Sequence, residues 1–279
     1  MWDHCVLTES WSALGWNNSM DKSKKDLERW EKAILPLFGE VMYTKVCTDC
    51  SIFTKNAQFM HVTQREAWDC GIACLLMVSK WLRDCSGKKR TLSSNDGETE
   101  RTWMLKTMAS ESIWSVDLVH LLQKIRNIKT LEFSYLYASK SLQVDQHHRD
   151  LSYYVEDFSD DQSRVTRLFN QAKEEGWPLI QLEHQLELSQ VVQLVSRSDC
   201  IAIALVDNAV LLQRLDRPYA GHYIIISGVE TNEKNDLIFQ IHNPDSSKPV
   251  DYISSSLFEK AWRARGTDED IIFIVARAR

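Results

Sequence analysis

No stretch of the sequence approaches the roughly 20 consecutive apolar residues that a bilayer span needs, so no membrane-spanning helix and no membrane partner are expected. A basic excess is missing too: 33 Lys and Arg face 39 Asp and Glu, for a formal net charge of -6. That balance argues against an electrostatically driven nucleic-acid binder, which needs clustered positive charge. The short run Lys88-Lys89-Arg90 reads as solvated loop. The N-terminal residues lack a basic segment followed by an apolar one, so no secretory signal is expected. Internal repeats and a GxxxxGK[ST] phosphate loop are also absent. These absences predict an intracellular chain, cytoplasmic or nuclear. There Cys5, Cys47, Cys50, Cys70, Cys74, Cys85 and Cys200 stay reduced, and the sequon Asn17-Asn18-Ser19 carries no glycan.

What is present fits an ordinary globular protein, with 44% apolar and 26% charged residues. A length of 279 residues suggests one domain of roughly 200 residues with an extension. Residues 1–58 hold Trp2, Trp11 and Trp16, a Lys-rich stretch at Lys22–Lys25 and one helix-like segment broken by Pro36, without strand alternation. They read as a partly ordered N-terminal extension, and 59–279 as the compact domain.

In the domain, the run after Asp69 reads as an apolar helix, with Cys70, Cys74 and Met77 on one face. The polar stretch from Cys85 to Arg101 reads as a flexible loop. A helix follows with Ser115 or Ser112 as its N-cap, then a strand at 131–137 and helices near 160–175 and 188–196. The remainder is strand-rich, at 200–207, 222–230, 237–243 and 271–276, with a last helix before the final strand. Helices early and antiparallel strands late predict an α+β fold, a helical first half packed on a sheet from the second half.

Cys70 carries the chemistry in this reading. At a helix N-terminus, backbone N–H groups point at the sulfur and favour thiolate, and the same groups can bind an oxyanion. Gln64, six residues upstream, could add a side-chain amide donor. A cysteine on an apolar helix is ordinarily a small buried hydrophobe. Cys74 and Cys200 are assigned that role, whereas Cys70 sits at the turn.

His222 opens a buried strand and is either a satisfied structural histidine or a base. A hairpin pairing His222 with Asn243 centres its turn at 232–233, which brings an amide beside the imidazole. Cys, His and Asn in that chain order form a papain-type set.

Five motifs then carry a resemblance. They are Gln64 with Trp68-Asp69-Cys70-Gly71, Ser112-Ile113-Trp114 with Asp117-Leu118, Gly221-His222-Tyr223, Asn243-Pro244, and Gly266-Thr267-Asp268-Glu269-Asp270. Together they resemble the guanylyl cyclase domain-containing family, which is itself similar to papain-like peptidases that process bacteriocin leaders. The second likeness implies a papain-like fold, with Gln64, Cys70, His222 and Asn243 at the oxyanion, nucleophile, base and orienting positions. Trp68, Asp69, Trp114 and Asp117 are expected to wall a substrate cleft.

Three functions follow as expectations. The first is a cysteine hydrolase without a cofactor, acting on a peptide or protein. The second is a cyclase turning GTP into cyclic GMP with Mg²⁺ or Mn²⁺, as the family name implies. The third is a non-catalytic binding module. The GTDED carboxylates read most simply as a solvated turn, the Asp157, Asp160 and Asp161 group as the acidic start of a helix, and His147-His148 as surface loop. Cys47 and Cys50 form a lone CxxC, short of ligands for a structural zinc. The sequence leaves the oligomeric state open.

Overall fold

The computed structural model describes residues 59–277, apart from 87–93, 109, 130, 145–147, 149, 153–157, 184 and 215. The N-terminal extension, its CxxC, Lys88-Lys89-Arg90, His147 and Asp157 lie outside the described residues. No helix among the described residues is long and apolar enough to cross a membrane.

In chain order the elements are α1 (Cys70–Cys85), α2 (Ser94–Met108), α3 (Ser115–Lys129), β1 (Phe133–Ser139), α4 (Phe158–Glu174), β2 (Leu179–Gln181) and α5 (Leu188–Val195). Then come β3 (Cys200–Asp207), α6 (Asn208–Leu211), β4 (Gly221–Thr231), β5 (Leu237–His242), β6 (Asp251–Ser254), α7 (Ser255–Trp262) and β7 (Ile271–Ala276). The strands form one sheet in the order β2-β1-β7-β3-β4-β5-β6. All pairs are antiparallel except β1 with β2.

The fold is α+β, with two departures from the sequence expectation. β1 from the first half enters the sheet between β2 and β7, and helices cover both faces rather than one. The reason lies in the strands themselves. β1, β3 and β7 are buried at every position, so both faces of the sheet need a partner. Alternation along each strand divides the core accordingly. Tyr135, Ile203, Tyr223, Ile225 and Ile274 pack with α1, α2 and α3, whereas Ala204, Ile224, Ile226 and Phe273 pack with α5 and α7.

Two further expectations change. Part of the polar stretch read as loop is α2, and its inward side includes Glu100 and Arg101 as well as Met104 and Met108. The hairpin register also differs. The pair farthest from the turn is Ile225 with His242, a bulge separates Ile226 from Gly228, and Thr231 pairs with Leu237 next to the turn. The turn therefore centres on Lys234, where Asn232 Oδ1 accepts from the N–H groups of Lys234 and Asp236, each at 2.9 Å. Asn243 is not the cross-strand partner of His222. It lies past the end of β5 and reaches back to the ring.

Candidate active site

The site forms where β5 stops short. β4 pairs with β3 along residues 221–226, but its pairing with β5 begins only at Ile225. Upstream of that point one edge of β4 has no strand partner among the described residues, and the head of α1 fills the gap. The Cys74 thiol donates to the Tyr223 carbonyl at 3.5 Å. The Cys70 sulfur takes a backbone hydrogen bond from the same residue. An i, i+4 pair of cysteines thus occupies the backbone groups that a strand would otherwise use.

Cys70 is the first residue of α1 and is 4% exposed. Burial pushes its thiol up to about 11, opposed by hydrogen bonds from Tyr223, Gly71 and its own N–H. The N-cap, Asp69, makes no side-chain cap, so its carboxylate leaves the first-turn N–H groups untouched. Gly71 lets this turn approach closely. A Cβ there would lie 2.9 Å from Leu118 Cδ2 and 3.2 Å from both Ile113 and Tyr223.

His222 is buried, and its ring donates from Nε2 to Asn243 Oδ1 at 2.7 Å. The direction is fixed by a second donor: the Asp245 backbone N–H also bonds Asn243 Oδ1, at 2.9 Å, so that atom is the carbonyl oxygen. In the neutral ring, Nδ1 then bears the lone pair. Burial lowers the His222 pKa, with Asn243 and Asp245 opposing, which favours that neutral form. Asp245 lies in the field of Cys70 as well. No hydrogen bond joins the Cys70 thiol to the His222 ring among the described residues. What they share is Tyr223, which follows His222 in β4 and bonds the Cys70 sulfur, and Asp245, whose charge acts on both.

Gln64 is anchored beside Asn243, its N–H donating to the Pro244 carbonyl at 2.9 Å. Its side-chain Nε2 donates to the Glu66 carbonyl at 3.1 Å, which uses one of two amide hydrogens. Oε1 is buried without a hydrogen-bond partner among the described residues.

The four residues expected to wall a cleft divide. Trp68 is half-buried beside Cys70. Trp114 lines a cleft with Ile113, Tyr137, Tyr223, Asp268 and Asp270, enclosing about 360 Å³ of space that includes the solvent at its mouth. Asp69 and Asp117 have structural partners. Asp69 Oδ1 accepts from the N–H groups of Arg65 and Glu66 at 3.0 and 3.1 Å, and its other oxygen pairs with Arg101. Asp117 accepts from the Trp114 N–H at 2.8 Å, half of a capping box at the head of α3, and pairs with Arg164.

Arg164 was not singled out in the sequence, yet it clamps the SIW loop. It also donates to the Ser112 carbonyl and to Asp161, both at 2.7 Å, while the Trp114 indole donates to Asp161 at 2.9 Å. Asp161 is therefore a buried anchor as well as the acidic start of a helix.

The GTDED segment is not a solvated turn, since Thr267, Glu269 and Asp270 are buried. Asp268 and Glu269 both adopt left-handed φ, at 48° and 53°, a conformation uncommon for such residues. His148, expected on the surface, is buried against Asp268 at 3.1 Å. Glu269 lies between Lys140 at 2.5 Å and Arg263 at 3.0 Å. Asp270 accepts from Tyr137 at 2.9 Å, and burial raises it to about 7. Asp268 and Asp270 face the same cleft, and Asp268 adds to the rise at Asp270. Each carboxylate nevertheless has a partner within the protein, and no group of three or more His, Cys, Asp or Glu side chains among the described residues is placed to hold a metal ion.

A sequence profile described as guanylylate cyclase matches residues 59–274. Guanylyl cyclase 1 of Arabidopsis thaliana is 33% identical over 226 residues, covering 77% of this chain and 74% of that protein. No solved structure matches. The profile spans the SIW loop, His222, Asn243 and the GTDED turn alike, and the chain belongs to the guanylyl cyclase domain-containing family.

Proposed function

We propose that Cys70, His222 and Asn243 form a cysteine-nucleophile site acting on an acyl bond of a peptide or protein, on a papain-like arrangement of helix head and sheet edge. The observation that carries this reading is the His222 Nε2 to Asn243 Oδ1 hydrogen bond of 2.7 Å, which leaves Nδ1 as the proton acceptor. At rest the pair is thiol and neutral imidazole, as burial of both groups dictates.

As substrate arrives, the Sγ–H proton moves to His222 Nδ1 and sulfur bonds to the carbonyl carbon. The oxyanion is held by first-turn N–H groups and by the second hydrogen of Gln64 Nε2. Collapse breaks the bond to the leaving group, which takes the proton from Nδ1. Water then gives a proton to Nδ1, attacks the acyl carbon and releases the thiol.

A second reading, conversion of GTP to cyclic GMP, is favoured by the comparisons, both of which carry the cyclase name. The engaged carboxylates of the GTDED turn speak against that turn as its metal site. One pair of assays on the purified chain separates the readings. The first predicts a covalent adduct at Cys70 with a peptide vinyl sulfone, lost in His222→Ala. The second predicts cyclic GMP from GTP with Mn²⁺ that survives Cys70→Ala. Cyclic GMP made by Cys70→Ala, with no adduct on the native chain, overturns the hydrolase reading.

A further inference from the structure

Asp69 is fully buried, directly precedes Cys70, and uses its carboxylate backwards rather than as a forward cap. Its bonds to the N–H groups of Arg65 and Glu66 tie the turn that carries Gln64 to the head of α1. Its counter-charge is Arg101 of α2, itself buried. α2 is held in place one residue earlier, where Glu100 accepts from Ser79 at 2.5 Å and from Arg83 at 3.1 Å, both on α1. The charge balance at the nucleophile is therefore built into the docking of two helices.

We propose that the Asp69–Arg101 pair is a positioning device that sets the ionisation of Cys70 and fixes Gln64 relative to it. This rests on the reading of Cys70 as a nucleophile. A bare carboxylate at position 69 would oppose formation of a thiolate one residue away, in a place shielded from water. Arg101 cancels that charge while Asp69 keeps its two backbone bonds. Of the other titratable groups, Asp245 acts on Cys70 from the sheet side and Cys74 lies beside it on α1. His222 precedes Tyr223, whose N–H bonds the sulfur, and Arg65 and Glu66 are held to the preceding turn through their backbone N–H groups.

The device makes a prediction that simple structural support does not, because the two partners act with opposite sign. Arg101→Gln leaves Asp69 uncompensated and makes the thiolate harder to form. Asp69→Asn keeps an oxygen acceptor for the two N–H groups but leaves Arg101 uncompensated, which makes the thiolate easier to form. The test is the rate of Cys70 alkylation by iodoacetamide as a function of pH, read by peptide mass spectrometry on the full chain. The expected result at neutral pH is roughly tenfold slower modification in Arg101→Gln and roughly tenfold faster in Asp69→Asn, as a displacement of one pKa unit in each direction gives. Arg101→Lys, which restores charge, should return most of the native rate.

Variants that both speed up, both slow down or both stay unchanged overturn the inference. Should Arg101→Gln fail to fold, Asp69→Asn decides alone, and an unchanged or slower rate overturns it. A native Cys70 that resists alkylation until the protein unfolds overturns the nucleophile reading and this inference together. A reactive Cys70 with unmoved variants overturns this inference only.

Discussion

His222 donates from Nε2 to Asn243 Oδ1 across 2.7 Å, although the two residues are not partners in the sheet. The bond selects one tautomer of the ring, so its loss should have a chemical cost beyond packing. Asn243→Ala is expected to slow Cys70 alkylation about tenfold at neutral pH, whereas Asn243→Asp keeps the acceptor and most of the rate. Because burial lowers the His222 pKa, the acidic fall in rate should lie below the ordinary histidine range. Equal rates for the Ala variant and the native chain would remove Asn243 from the mechanism.

Arg164 faces two buried carboxylates, Asp117 and Asp161. Removing it strands both. Arg164→Met is expected to destabilise the fold by about 3–5 kcal/mol, measured by urea unfolding. A change below about 1 kcal/mol would mean that water reaches this clamp and screens it.

Gly71→Ala sets a helix-propensity gain of about 1 kcal/mol against a clash. The added methyl would meet Leu118 at 2.9 Å, Ile113 and Tyr223. Overpacking of this kind costs about 1–3 kcal/mol, so a net loss of stability is expected, with a lower Tm. A rise in Tm would show that the SIW loop yields freely.

Asp270 gives a pH signature. Its carboxyl titrates near 4 in an unfolded chain but at about 7 in the fold, because of burial. Between these values the native state holds the extra proton, so this group's contribution to stability falls as pH rises from about 4 to about 7 and is level above. Asp270→Asn removes that slope. Relative to the native chain, the variant should gain stability on the order of 4 kcal/mol across this range, followed by unfolding at a series of pH values. A difference that does not change with pH would contradict the burial argument.

The sequence made the long apolar segments legible, because helix and strand spacing survive in residues such as Val119 and Leu122 or Ile203 and Leu205. It did not reveal α2, whose inner face includes Glu100 and Arg101 rather than apolar side chains alone. It misplaced the hairpin register, since a bulge between Ile226 and Gly228 leaves no pattern of its own. Candidate site residues stood out by type and chain order, whereas Arg101 and Arg164, which hold the neighbouring loops, did not. Their partners Asp69 and Asp117 lie 32 and 47 residues away in the chain, and such pairings exist only once the helices dock.

The central claim is that Cys70 and His222 act as a pair, and alkylation of Cys70 in the native chain and in His222→Ala tests it most directly. The account predicts that iodoacetamide modifies native Cys70 at neutral pH at least about a hundredfold faster than the variant, the lower end of what a positioned base supplies. Equal rates in two folded proteins would contradict it and leave Cys70 a buried thiol at the head of a helix.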